Sequence, residues 1–160
     1  MKKNFKKGFT LIEVLVVISI LGILAGLSLT SYTGAQKQAR DSQRKSDLNQ
    51  YRNALEVYAG ANSLKYPSYT TRTAADTVCS SNLATMMSSC PTDPRTYTYY
   101  YRSDGAGAGG ATATQFVLWT EIETGGCWEV CSTGKVGKIA ADACPDDGDG
   151  NGDAGGVCQL

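Results

Sequence analysis

The sequence contains no histidine, no Cys-x-x-Cys pair and no proline before Pro67. The absence of histidine removes the most common general base and every histidine-dependent catalytic triad. Together with the missing Cys-x-x-Cys spacing, it also argues against a thiolate-type zinc site. Basic and acidic residues number 15 each, so the net charge is zero and no nucleic-acid partner is expected. We therefore expect a structural or binding protein and not an enzyme.

Charge is scarce between Phe9 and Leu29, where Glu13 is the only charged side chain. As a helix rising about 1.5 Å per residue, this segment is long enough to cross a membrane. Four lysines precede it, so the positive-inside rule predicts a single pass with the N-terminus in the cytoplasm. An ordinary secretory signal peptide shares the basic head, but its apolar core is shorter and has no use for a buried carboxylate.

The segment KKGFTLIEVLVVISILGILA resembles the N-terminal signal of type IV pilins and type II secretion pseudopilins. The matching features are a basic leader, then Gly8 and Phe9, then Glu13 inside an apolar helix. The resemblance implies that a membrane prepilin peptidase cleaves between Gly8 and Phe9, and that Phe9 is then N-methylated. It also implies that the apolar helix stays in the mature subunit. A membrane assembly platform would then add the subunit to a filament outside the cytoplasmic membrane, beside identical and related pilins.

Glu13 has a physical reason to lie inside this apolar segment. Cleavage gives Phe9 an α-amino cation, so Glu13 of one subunit can pair with Phe9 of a neighbour and fix the axial offset between them. Gly22 and Gly26 form a Gly-x-x-x-Gly spacing in the same segment. That spacing is either a close helix contact or a chance pattern, since it is common in apolar helices.

The composition divides the chain into a leader (1–8), a transmembrane and filament-core helix (9–34), and an amphipathic helix with a globular pilin-like head (35–160). An apolar stripe at helical spacing predicts that the amphipathic helix packs on a sheet. The stripe consists of Leu48, Tyr51, Leu55 and Tyr58, and Gly60 and Asn62 predict the helix end. A short helix is expected between Cys79 and Cys90.

Strand patterns dominate the remaining chain. Tyr97, Tyr99 and Tyr101 alternate on one face of a predicted strand, and the Gly/Ala-rich run 104–113 predicts a hairpin loop. TQFVLWTEIE is the partner strand, and ETGGCWEVCST and KVGKIA predict shorter ones. This order resembles the major pseudopilin of type II secretion, whose Asp-Pro motif with tyrosines is matched by Asp93, Pro94, Tyr97 and Tyr99.

The predicted fold class is therefore α+β. A long N-terminal helix, transmembrane in its first half, packs on a small antiparallel sheet, and a disulfide-bonded loop region ends the chain.

Six cysteines follow the apolar segment, which predicts three disulfides in an oxidising compartment and argues against free or metal-binding thiols. Cys79 and Cys90 are the expected pair. Cys127 and Cys131 fall on one face of a predicted strand and about 13 Å apart, too far for a disulfide. We expect them to bond to Cys144 and Cys158, in either order.

The acidic stretch DDGDGNGD resembles the first half of an EF-hand calcium loop. Asp147, Asp149, Asn151 and Asp153 offer oxygen ligands at alternate positions, and Gly152 occupies the sixth. Cys158 stands where an EF-hand has its bidentate glutamate. We expect these four residues to bind one Ca²⁺. The alternative is a solvated acidic, glycine-rich tail.

Three functions remain open on the sequence alone. The first is a major subunit of a type IV pilus or a secretion pseudopilus, and the second is a minor tip subunit in adhesion or DNA uptake. The third is a membrane-anchored calcium-binding surface module that does not polymerise. Glu13 favours polymerisation, because a simple anchor needs no acid at that depth.

The processing site can be tested by intact-mass analysis of membrane or filament material. Cleavage after Gly8 leaves 152 of the 160 residues, with an N-methylated Phe9 at the new terminus. Gly8→Val is expected to block cleavage, because a small residue must fit beside the scissile bond. A mature chain that starts near Gly26 would mean that an ordinary signal peptidase acted.

Overall fold

The structure is a computed structural model that describes residues 8–140 and 144–145, with the backbone alone for 27–31. The chain divides into two units, Met1–Lys37 and Gln38–Leu160. Helix α1 covers Leu11–Ala61 and begins in the first unit. Within the described residues, no helix is both long and apolar enough to cross a membrane. The transmembrane first half expected from the sequence is therefore not supported.

The second unit contains the later part of α1, a short helix α2 (Ala75–Val78) that runs into a π-helical turn (Cys79–Leu83), and two antiparallel sheets. The strands are β1 (Tyr66–Pro67), β2 (Thr73–Ala74), β3 (Tyr100–Ser103), β4 (Ala111–Ala113), β5 (Phe116–Glu121), β6 (Cys127–Cys131) and β7 (Val136–Ile139). The larger sheet has the order β2-β3-β5-β6-β7, and β1 pairs with β4. This arrangement confirms the α+β class and the antiparallel sheet.

The apolar stripe of α1 packs on the larger sheet, as the sequence predicts. Leu48, Tyr51 and Leu55 are buried in one cluster with the sheet residues Tyr99, Tyr101, Phe116, Leu118 and Val130. Burial of each large apolar side chain is worth roughly 1.5–3 kcal/mol, so this contact supplies much of the cohesion of the second unit.

The opposite face of the larger sheet is also covered. Tyr100 lies opposite Trp119 in the register of β3 and β5, and their rings are 5.6 Å apart. Trp119, Val117 and Cys127 form a second buried cluster. Because successive side chains of a strand point to opposite faces, this cluster is separate from the one beneath α1.

The disulfide predictions are confirmed as far as the structure describes them. Cys79 bonds to Cys90, and Cys127 bonds to Cys144 and not to Cys131. Cys131 is also disulfide-bonded. Cys158 lies outside the described residues, so the expectation for it stays a prediction.

Two local predictions were wrong. The helix expected between Cys79 and Cys90 begins earlier, at Ala75, and the 104–113 segment is not only a hairpin loop. Its end forms β4 and pairs with β1, because Ser68 fastens the loop: the Ser68 N–H donates to the Gly110 carbonyl (2.9 Å) and the Gly107 N–H donates to Ser68 Oγ (2.7 Å). Glycine supplies the positive φ of 79° that Gly107 adopts in this turn.

A buried ionic network fastens α1 to two loops of the head. Arg44 has no exposed surface and donates to Asp93 through Nε and Nη2 and to Asp41 Oδ1 through Nη1 (2.7 Å). Glu123 accepts from the same Nη1 (3.1 Å) and takes two bonds of 2.6 Å from Arg40. Each buried carboxylate therefore faces an arginine, which offsets the cost of removing it from water.

The network keeps its carboxylates ionised. Burial opposes ionisation of Asp93, but hydrogen bonds from Arg44 and from two backbone N–H groups outweigh it and hold the pKa of Asp93 below its usual value. Hydrogen bonds from Arg40 lower the pKa of Glu123 to about 2, with Arg44 adding to the effect. Such groups favour the folded state above their unfolded pKa, and that contribution is lost as the pH falls through the folded pKa.

Acid titration should therefore destabilise the second unit. For Glu123 the stabilisation is complete above its unfolded pKa of 4.5 and disappears as the pH falls toward about 2. We expect the thermal midpoint of the detergent-solubilised chain, followed by circular dichroism, to fall over that window. A midpoint that stays level from pH 5 to pH 2 would contradict this role for the network.

Arg44→Met provides the control. It leaves buried carboxylates without their cation and should cost roughly 3–5 kcal/mol of unfolding free energy at neutral pH. In this variant burial dominates, so protonation of Asp93 relieves an unpaired charge and mild acidification should restore part of the loss. The two proteins should thus respond to acid with opposite signs near pH 5.

Candidate functional site

The predicted cleavage site lies in an accessible part of the chain. Gly8, Phe9 and Thr10 precede α1, are not helical and are exposed. The bond between Gly8 and Phe9 is therefore not protected by helical hydrogen bonds. The lysines of the leader lie outside the described residues.

Thr10 and Glu13 close the start of α1 by reciprocal hydrogen bonds. The Thr10 N–H and hydroxyl donate to Glu13 Oε2 (2.8 and 2.6 Å), and the Glu13 N–H donates to Thr10 Oγ1 (3.3 Å). Thr10 is the residue before the first helical position and Glu13 is the third helical residue. This is a capping box, which satisfies N–H groups that a helix start otherwise leaves unpaired.

The side chains around this cap are apolar and exposed. Phe9, Ile12, Val16 and Val17 surround Glu13 in an open cleft of about 390 Å³. Farther along α1, the large apolar side chains from Leu11 to Leu24 remain 49–83% exposed. Contiguous apolar surface of this extent marks an interaction site in a folded protein.

Gly22 and Gly26 have open space around them. A side chain added at either position would meet no atom within 4 Å. A close helix contact at these glycines therefore stays a prediction, because it would need a second chain.

The predicted calcium ligands Asp147, Asp149, Asn151 and Asp153 lie outside the described residues. Within the part of the chain that is described, no group of three acidic, histidine or cysteine side chains could hold a metal. Cys144 is described, and its bond to Cys127 attaches the start of the acidic segment to β6.

The sequence reasoning missed Thr10. The signal was present, since Thr-x-x-Glu before an apolar run is the pattern of a capping box. Glu13 was interpreted only through its possible partner on a neighbouring subunit, and its local partner three residues earlier was overlooked.

Comparison with known proteins supports the interpretation of this N-terminal region. The family model described as the prokaryotic N-terminal methylation motif matches residues 3–29. The match includes the Gly8–Phe9 bond, Thr10 and Glu13.

Named relatives share a longer N-terminal segment. Type II secretion system core protein G of Aeromonas hydrophila is 43% identical over 67 residues, which are 42% of this chain and 46% of that protein. The corresponding protein of Vibrio cholerae serotype O1 is 43% identical over 68 residues, again 42% and 46%. Type IV major fimbrial protein FimA of Dichelobacter nodosus is 39% identical over 55 residues, or 34% and 35%. The chain thus matches less than half the length of these relatives, and no solved structure matches it.

Proposed function

The N-terminal region of this chain is that of the type IV pilin and type II secretion pseudopilin family, and from that premise we propose that the chain is a structural subunit that polymerises through α1. The observation that carries the proposal is the exposed apolar surface between Phe9 and Leu24. Neighbouring copies can cover that surface in a filament, and the hydrophobic effect then drives assembly.

The proposed pathway begins with a membrane-anchored precursor. A prepilin peptidase cleaves the exposed Gly8–Phe9 bond, Phe9 is methylated, and an assembly platform adds the subunit to a filament outside the cytoplasmic membrane. The names of the relatives include both a fimbrial protein and a secretion protein. The proposal therefore extends to either kind of filament.

Glu13 has two partners in this proposal. In the free subunit its carboxylate caps α1 through Thr10. In the filament the α-amino group of a neighbour's Phe9 approaches the same carboxylate, and the ion pair replaces water that the apolar surroundings exclude. A charge-assisted bond is stronger than a neutral one, so it can fix the offset between subunits while apolar packing supplies the cohesion.

Substitution of Glu13 tests the proposal. Glu13→Ala removes the carboxylate, so filaments sheared from the cell surface or periplasm, counted by electron microscopy and identified by peptide mass, should fall at least about tenfold if the buried ammonium loses its partner. The precursor should still reach the membrane, because the change removes a charge from an apolar segment.

Thr10→Ala is the matched control for that experiment. It removes the cap, at a cost of about 1 kcal/mol of helix stability, but keeps the Glu13 carboxylate. We expect Thr10→Ala to assemble within a few fold of wild type. Normal filaments from Glu13→Ala, or equal losses from both variants, would reject a role for Glu13 in register.

We also propose that the segment from Asp147 to Asp153 binds one calcium ion. The support is the donor set, since hard cations prefer the carboxylate and amide oxygens that Asp147, Asp149 and Asn151 offer. A second support is the Cys127–Cys144 bond, which fixes one end of the segment to β6 and lowers the entropy cost of ordering it.

Calcium removal tests this site. Because the ligand set is incomplete compared with an EF-hand, we expect a dissociation constant on the order of 10⁻⁴–10⁻³ M. Several millimolar calcium should raise the thermal midpoint of the detergent-solubilised chain relative to chelator, by mass action on the folded state. Asp149→Ala should abolish that rise. A midpoint that ignores calcium in both proteins would leave only a solvated acidic tail.

A further inference from the structure

The charged side chains of α1 in the second unit face the head. From Arg40 to Ala61 the helix carries seven charged residues, and each makes a contact there. Arg40, Asp41 and Arg44 belong to the buried ionic network. The remaining contacts join Lys45 Nζ to the Trp128 ring (4.1 Å), Asp47 to the Tyr99 hydroxyl (2.7 Å), Glu56 to the Tyr66 hydroxyl (3.1 Å) and Arg52 to the turn at Gly134.

The opposite side of the same helix carries no charge over about five turns. We call it the charge-free face, and its residues are Ser42, Gln43, Ser46, Asn49, Gln50, Asn53, Val57 and Gly60. All of them are exposed, and Val57 has 61% of its surface open. A solvent-facing helix surface is normally rich in lysine and glutamate. A face without charge is instead typical of a surface that loses its water on assembly.

A groove runs beside the charge-free face. Its volume is about 310 Å³, and Gln50, Asn53, Ala54 and Val57 of α1 face Met86 and Met87 across it. Methionine side chains adapt to the shape of an apolar partner because they are unbranched and polarisable. The groove can therefore accept apolar side chains of a second molecule.

We infer that the charge-free face and its methionine groove are the docking surface for the apolar segment Val14–Gly26 of a second copy of this chain. This inference rests on the proposed function and adds to it a named contact of the head. The segment is itself uncharged, and its large side chains remain 49–66% exposed in the single chain.

Charge complementarity selects this occupant. An apolar helix offers no partner for a lysine or glutamate, so only a charge-free surface can cover it without stranding a charge. The polar groups of the face are easier to dehydrate. Ser42, for example, already donates to the Gln38 carbonyl of its own helix (2.8 Å). The amide groups of Asn49 and Asn53 are neutral, so their burial is less costly than that of ions.

A charged side chain on the face tests the inference in the full chain in its host. Ser46→Lys should lower the yield of sheared filaments by about tenfold or more, because the lysine meets an apolar helix that cannot pair with it. Ser81→Lys is the matched control: it makes the same change at another exposed serine of the head. We expect it to assemble like wild type, and both variants to keep the wild-type thermal midpoint in detergent.

A photo-crosslinking amino acid at position 46 identifies the occupant. In filaments of mixed isotope-labelled and unlabelled subunits, it should join to the tryptic peptide Phe9–Lys37 of another copy, and the same group at position 81 should not. Crosslinks to a head peptide, to a different protein or to nothing would overturn the inference, as would normal filaments from Ser46→Lys. If wild-type cells form no filaments of this chain, the proposed function fails as well. Wild-type filaments with either contrary result would reject the docking surface alone.

Discussion

Arg44 is the residue on which the arrangement of the head depends. A fully buried guanidinium is costly unless every donor has a partner, and here Asp93, Asp41 and Glu123 supply them. The three acids come from different parts of the sequence: from α1 itself, from the loop before β3 and from the loop after β5. The network therefore constrains the helix and both loops at once. The geometry of a planar, forked donor gives this contact a specificity that apolar packing alone lacks.

The same constraint explains why α1 reverses the usual arrangement of an amphipathic helix. An isolated helix of this kind would bury its apolar stripe and expose its charges. In this chain the charges lie among and beside the stripe, because the head offers them carboxylates, arginines, hydroxyls and a Trp128 ring. What remains outside is serine, asparagine and glutamine. Internal stability and a surface suited to assembly are thus consequences of one distribution of charge.

The sequence was informative wherever short-range pattern decides structure. Leu48, Tyr51 and Leu55 could be placed in the core from their spacing, and Cys127 could be separated from Cys131 because four residues of a strand exceed the length of a disulfide. The network could not be found in this way. Arg44 and Asp93 are 49 positions apart, and nothing in either local pattern indicates that they meet. Tyr97 shows the same limit: its alternation with Tyr99 predicts a strand, but its N–H donates to Asp93 and β3 begins at Tyr100.

Thr10 and Glu13 differ from that case, since their contact was readable from adjacent sequence and changes how assembly is understood. A buried carboxylate with no partner would cost several kcal/mol and would favour a protonated or water-bound subunit. The capping box instead keeps Glu13 bonded before any neighbour arrives. Carboxylate oxygens can accept more than one hydrogen bond, so an incoming ammonium can bind Glu13 while the Thr10 N–H is still in place. The subunit is then satisfied both alone and in a filament, and assembly does not need to pass through an unpaired buried charge.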